Sequence, residues 1–393
     1  MARNMNRKDW IKSSGAFFAG GMSLMTTGFV PTIKSTNEIK KMISSSRYFI
    51  SDEEYDRIAP QQLDARLNAN ENPFGPSQKA KEALIKAIDS GNRYSFGPLR
   101  ELVGKISEHE GITNDQILLA AGSSPILTAG AIYYSQLGGN IVTGDPSYSD
   151  MPRRIEEFGG EVRWVPLTSE FKLDLEAMES KIDENTNMVY ICNPNNPTAT
   201  VLDASELMTF CKRVSKKTTV FIDEAYIEYM EDMDAMSMMS LVKDGYDVII
   251  ARTFSKLYGF AGLRVGYMVA PEKIIEAFDP YTRGGMSISA TSGAAALAAY
   301  LDEEYMSMIR TKTKDGKEFL YQTLKKNGYE YIPSATNFAM FPINMDTKRF
   351  REEMWKRGVG IRTWDFEDKN WCRVTIGTMK DMEAFASAFT QIS

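Results

Sequence analysis

Lys256 lies in Thr253-Phe-Ser-Lys256-Leu-Tyr-Gly-Phe-Ala-Gly-Leu-Arg264, directly after the apolar run Asp247-Val-Ile-Ile-Ala-Arg252. An amine in a mostly apolar, glycine-containing loop is costly to hold as a cation. Desolvation lowers its pKa and makes it a better nucleophile toward carbonyls. Thr253 and Ser255 supply hydroxyls and Arg264 a guanidinium, a set suited to a phosphate. Taken alone the segment is ambiguous, because Ser-Lys pairs are common and most are surface pairs. Other residues carry the same theme. Asp223 closes the apolar run Thr219-Val-Phe-Ile-Asp223, where a buried carboxylate needs a partner, and Tyr226 follows three residues later. Asn196 sits in Asn193-Pro-Asn-Asn196-Pro-Thr198, and Tyr148 ends Asp145-Pro-Ser-Tyr148. Gly122-Ser123-Ser124 opens a helical pattern. Hydroxyls and free N–H groups there make an anion site, although a plain serine cap explains that piece equally well.

A Schiff-base lysine beside a phosphate site describes a pocket for pyridoxal phosphate (PLP). In such a pocket Asp223 keeps the pyridine nitrogen protonated, so that the ring accepts carbanion electrons. Tyr226 and Asn196 donate to the ring's phenolic oxygen, and Tyr148 stacks on its face. Each residue has an ordinary alternative as a cap, a turn residue or a core aromatic, and singly those alternatives are commoner. Jointly, in this order ahead of Lys256, they are not.

These residues need elements to hold them. Short apolar strands are expected at 117–120, 140–144, 161–166, 187–192, 219–223, 247–252 and 264–270, alternating with helices at about 77–89, 99–110, 151–158 and 204–214. That alternation gives an α/β fold whose large domain carries a mostly parallel sheet, with functional loops at the carboxyl ends of the strands. Residues 287–330 read as helical. Residues 331–393 read as a small α+β domain with strands at 329–332, 337–342, 359–362 and 373–376. The expected division is an export-like segment at 1–34, an arm and part of the small domain at 35–77, the large domain at 78–286 and the C-terminal small domain at 287–393.

Composition narrows the function. At 393 residues the chain can bury a large core in two domains. A net charge of -6 gives no basic footprint for broad nucleic-acid binding. The single histidine, His109, excludes a multi-histidine zinc site and reads as a cation near a helix C-terminus. Cys192, Cys211 and Cys372 lack metal-ligand spacing and read as buried thiols. The methionines between Met230 and Met239 suit packing better than a soft copper site, and no metal is expected.

Gly122-Ser-Ser, Asp145-Pro-Ser-Tyr148, Asn193-Pro-Asn-Asn196-Pro-Thr, Asp223-Glu-Ala-Tyr226, the Lys256 segment through Arg264, and Arg373-Val-Thr-Ile-Gly-Thr378 resemble the fold type I PLP-dependent aminotransferases. The histidinol-phosphate aminotransferase-like branch is the nearest in pattern, from about residue 66 to the C-terminus. The resemblance implies a large domain carrying PLP, a small domain built from both chain ends, and a homodimer in which Tyr94 reaches the partner subunit's PLP phosphate. It implies that Arg373 binds the substrate's acidic group. Arg362, which with Arg373 flanks the last strands of the small domain, reads as a cation for a second acid or phosphate, with a surface salt bridge as the alternative, and Asn72 is a further substrate-binding candidate. The implied reaction is a ping-pong transfer between an amino donor and a keto acceptor, in which Lys256 moves a proton between substrate and cofactor. Ala199 stands where the family usually has glycine, and Phe74 where histidinol-phosphate enzymes often have tyrosine, so the pattern leaves the donor open. A decarboxylase on the same scaffold, resembling threonine-phosphate decarboxylase, is the alternative. A non-catalytic PLP-binding protein is disfavoured by the intact Lys256, Asp223 and Arg264.

The N-terminus carries a separate signal. Arg7-Lys8-Asp-Trp-Ile-Lys12 precedes a glycine-diluted apolar run, the basic-then-apolar order of an export signal. It resembles a twin-arginine signal with Lys8 at the second arginine and no clear Ala-x-Ala site. The expectation is export, with membrane contact only through this segment if it is uncleaved. A cytoplasmic protein with an N-terminal tail is the alternative.

Overall fold

The computed structural model describes residues 63–393. The export-like segment and most of the arm lie outside the described residues. The strands are β1 (Ala65–Arg66), β2 (Ile117–Ala120), β3 (Asn140–Asp145), β4 (Glu161–Pro166), β5 (Thr186–Cys192), β6 (Thr219–Asp223), β7 (Val248–Thr253), β8 (Gly266–Val269), β9 (Phe338–Ile343), β10 (Val359–Gly360), β11 (Arg362–Phe366) and β12 (Lys369–Thr375).

Strands β2 to β8 form one seven-stranded sheet in the order β2-β8-β7-β6-β5-β3-β4. From β4 to β7 all pairings are parallel, and β8 runs antiparallel to both β7 and β2. The central strands are apolar on both faces because both faces are covered. Period-two alternation decides which core each residue enters. Val189, Ile191, Val220, Ile222, Val248 and Ile250 enter one core. Met188, Tyr190, Cys192, Phe221, Ile249 and Ala251 enter the other. Parallel strands bring their carboxyl ends to one edge of the sheet. Asp145, Cys192, Asp223 and Thr253, the last residues of β3, β5, β6 and β7, therefore stand along that edge.

The small sheet is β11-β12-β9, antiparallel throughout, and β1 pairs with β10 in parallel. Ala65 and Leu67 share a core with Leu320, Phe341, Phe385 and Phe389. The small core thus draws on chain before and after the large sheet.

Some elements differ from the sequence expectation. The second helix begins at Phe96 rather than Leu99. Pro98 sits inside its first turn, where a missing N–H costs nothing. The helical stretch after 286 is broken around Leu301, which has φ 58, into Ala290–Ala299 and Glu303–Lys326. The cores do not part at residue 286. Ala295, Ala296, Ala299, Tyr305, Met306 and Ile309 bury in the large-sheet core, whereas Leu320 and Leu324 bury in the small one. The long helix serves both. The strand expected at 329–332 is reduced to one bridge between Ile332 and Met340, because Pro333 has no N–H to continue the ladder. Met238 and Met239 pack into the large-sheet core, and all three cysteines are free and buried.

Candidate active site

The edge of the large sheet opens into a cavity of about 280 Å³. Lys256, Asp223, Tyr226, Asn196, Tyr148, Ser123, Ser124, Thr253, Ser255, Arg264, Arg362 and Arg373 all line it. Wider concavities around Phe96 and Met286, and around Thr168 and Arg213, hold none of these residues.

One end of the cavity is built for an anion. The helix Ser123–Leu137 starts there, capped by Gly122 at φ 86. A Cβ at 122 would come within 2.1 Å of Arg264 Nη2, so glycine is what lets the guanidinium lie against the helix start. Arg264 Nη1 donates to Ser255 Oγ at 2.9 Å and to the Ala261 carbonyl at 3.0 Å, and Thr253 Oγ1 donates to Ser255 Oγ at 2.9 Å. Free N–H groups at a helix start, hydroxyls and one guanidinium are phosphate-binding chemistry.

Lys256 lines the same cavity as this end and Asp223. Its Nζ is 3.5 Å from the Ala69 carbonyl and 5.5 Å from the Tyr226 ring centre. Loss of solvation, helped by Arg373 and Arg264, lowers its pKa to about 8, against the pull of Glu71 and Asp223. At pH 7 such an amine is neutral in about a tenth of molecules, against roughly one in three thousand for an ordinary lysine.

Asp223 is 1% exposed. Ala225 N–H donates to Oδ1 at 3.1 Å and Tyr190 O–H to Oδ2 at 3.0 Å. Burial raises its pKa to about 6, and those two bonds and Lys256 resist the rise. Among the described residues no ion pair reaches this carboxylate. A buried carboxylate in that state suits a cationic ring nitrogen.

The Tyr226 hydroxyl oxygen accepts from Asn70 Nδ2 at 3.0 Å and keeps its own proton to donate. Burial holds that phenol far above its ordinary pKa. Asn196 Oδ1 accepts from Arg373 Nη1 at 2.6 Å, leaving its amide N–H groups as donors. Arg373 is 3% exposed. Its second nitrogen bonds the Asn68 carbonyl at 3.1 Å, and its Nε is buried without a partner among the described residues. Its guanidinium lies 4.9 Å from the Trp364 ring and 5.2 Å from the Phe338 ring. Burial lowers its pKa to about 10, still a cation at neutral pH. Arg362 pairs with Arg373 in register on the neighbouring strand and is exposed at the cavity.

Two sequence candidates are not brought to the cavity. Asn72 is buried, and its amide is spent on the Leu257 carbonyl at 2.7 Å and the Tyr305 hydroxyl at 3.0 Å. It pins the 68–76 turn against the lysine loop instead of facing a substrate. Tyr94 is 71% exposed and touches Phe96, outside this chain's own cavity. Conversely, sequence reasoning passed over Tyr190, Asn70 and Glu71. The one available hint for Tyr190 was a tyrosine inside an otherwise apolar strand. Asn70 gave only its place in a turn.

A phosphate end, a lysine of lowered pKa, a buried carboxylate with no ion-pair partner among the described residues and two further hydrogen-bond donors fit PLP in their donor set. The described chain matches the model of the family "aminotransferase class I and II" over residues 62–389. It is 38% identical over 315 residues to histidinol-phosphate aminotransferase 2 of Carboxydothermus hydrogenoformans, covering 80% of this chain and 86% of that one. It is 36% identical over 329 residues to the histidinol-phosphate aminotransferase of Moorella thermoacetica, covering 83% and 85%. Its structure resembles the histidinol-phosphate aminotransferase of Sinorhizobium meliloti in complex with pyridoxal-5'-phosphate, with a TM-score of 0.79 at 26% identity, covering 94% of this chain and 98% of that one. The chain therefore belongs to the class I and II aminotransferase family, and it is a pyridoxal phosphate-dependent aminotransferase of fold type I.

Proposed function

We propose that this aminotransferase takes its amino group from an anionic primary amine, with histidinol phosphate the first donor to test, and passes it to a keto acceptor. One observation carries the choice of substrate: Arg362 and Arg373 face the cavity that also holds Lys256, beyond the anion end served by Arg264. A second acidic group has cations waiting for it there. The names of the relatives, histidinol-phosphate aminotransferases, support the same donor and favour amino transfer over decarboxylation.

When bound, PLP supplies a carbonyl carbon that takes up the substrate amine and a ring that takes up the electrons left by the α-proton. The chain does the rest. Ser123, Ser124, Ser255 and Arg264 hold the phosphate. Asp223 holds a proton on the ring nitrogen. Tyr226 and Asn196 donate to the ring oxygen. Lys256 would be the residue to attach the cofactor, and its Nζ would be the base that holds and moves the substrate's α-proton. The lowered pKa makes a neutral amine available for that task.

Replacing Arg373 with Ala should raise KM about 100-fold for anionic amines and only marginally for neutral ones, since a charge-assisted bond is lost in the first case alone. Steady-state kinetics on matched amine pairs tests this; an equal rise for both overturns the substrate reading.

A homodimer with shared sites is part of the same reading. Its support is the exposed Tyr94, at 71%, beside the exposed Phe96, at 56%. Hybrids of Lys256→Ala with Tyr94→Phe subunits carry one site free of both substitutions. Activity recovered in verified hybrids, from two impaired parents, is the expected result; none recovered counts against sharing.

For localisation we propose a twin-arginine-type export route, supported by the order of charges and apolar residues in 1–34 and by a cofactor that needs a folded pocket before transit. Cell fractionation should find the native protein outside the cytoplasm, and Arg7→Gln with Lys8→Gln should retain it inside. A native cytosolic protein still bearing Met1–Pro31 refutes export.

A further inference from the structure

We propose that Tyr190 is a positioning residue for the reaction, its hydroxyl holding the Asp223 carboxylate ionised and in one orientation for the ring nitrogen it would serve. The proposal rests on the reading of Asp223 given above. The geometry comes from the sheet. In register, Tyr190 pairs with Phe221, and Cys192 pairs with Asp223. Alternation puts Tyr190, Cys192, Phe221 and Asp223 on one face, so the tyrosine reaches diagonally to the next strand's end. Its hydroxyl meets Asp223 Oδ2 at 3.0 Å. The ring is fully buried, 5.7 Å from that of Phe221.

Among the described residues the Asp223 carboxylate has one other donor, the Ala225 backbone, which any residue at 225 except proline would supply. Tyr190 is the one side-chain hydroxyl bonded to it among the described residues. Burial keeps the phenol protonated far beyond neutral pH, so it acts only as a donor toward Asp223. That bond stabilises the anion and opposes burial, which favours the neutral acid. The other titratable groups around Asp223 are Tyr148, Cys192, Glu224, Tyr226 and Lys256. Lys256 supports the anion and Glu224 opposes it. Burial holds Tyr148, Cys192 and Tyr226 neutral. Without Tyr190, Asp223 competes more strongly for the proton that the ring nitrogen must keep.

Tyr190→Phe removes one oxygen and keeps the packing. In the cofactor-free protein, the Asp223 titration midpoint, read by carboxyl-carbon NMR and assigned with Asp223→Asn, should rise by about one to two pH units. In the PLP-loaded enzyme, kcat at pH 7 should fall about ten- to a hundred-fold with KM held within about two-fold, and the acid limb of the kcat profile should move upward. If Tyr190→Phe does not fold, a fluorinated, more acidic tyrosine placed at 190 should move the midpoint down. A midpoint unmoved in the folded variant overturns the proposal and leaves the cofactor reading standing. Normal turnover in Asp223→Asn overturns that reading, and the proposal with it.

Discussion

Lys256→Ala should abolish multiple turnover, with kcat reduced by at least about 10⁴-fold, because on the proposed reading covalent attachment and proton transfer would both be lost. No neighbour in the cavity offers a replacement amine. The other basic side chains lining the cavity, Arg264, Arg362 and Arg373, are arginines, which offer no primary amine to attach a carbonyl. Tyr226 lies beside the lysine, but burial raises its pKa further from neutrality. Two measurements check the expectation: steady-state turnover, and peptide mapping of the adduct fixed by borohydride. An adduct on another lysine in the variant would show that the wrong residue has been assigned.

Asp223→Asn gives the second largest effect. The amide fits the same space and can still accept from Ala225 N–H, so the fold and PLP binding should survive. The ring nitrogen then loses its anionic partner and its proton, and the ring accepts electrons poorly. Proton abstraction should slow by about 10²–10⁴-fold, a range set by the loss of a buried charge partner. Single-turnover absorbance on a saturating donor measures that step separately from binding. Near-normal rates would mean that Asp223 does not face the ring nitrogen.

The two experiments also separate the roles proposed for the two residues. On the proposed reading, Lys256 would act at a carbon centre and Asp223 at a nitrogen. Loss of Lys256 should leave no covalent attachment, whereas loss of Asp223 should leave attachment intact and slow the later removal of the α-proton.

Much of this site was legible in the chain because it obeys a local rule. Thr253-to-Lys256, Asp223-to-Tyr226 and Asn193-to-Asn196 each begin at the end of an apolar strand, and in a parallel sheet every such end lies on one edge. Residues that are far apart in sequence thus meet without any knowledge of their contacts. Gly122-Ser123-Ser124 obeys the same logic at the end of β2. The apolar pattern at 329–332 reads as a strand, yet Pro333 denies it a ladder.

The sequence by itself determined the α/β class, the apolar strands and the loop chemistry of Lys256, Asp223 and Arg264, since strand period and strand ends are local properties. Tertiary structure alone decided how those groups are held. Asn70 bonds Thr375, 305 residues away, and Arg373 bonds Asn196, 177 residues away. No local pattern encodes such pairings. Asn72 looked like a pocket residue until packing spent its amide on Leu257 and Tyr305. Tyr190 looked like core until the register of β5 against β6 placed its hydroxyl on Asp223. Propensity chooses elements, but which donor satisfies a buried acceptor depends on how the elements pack, because a buried polar group takes whichever partner the fold brings within reach.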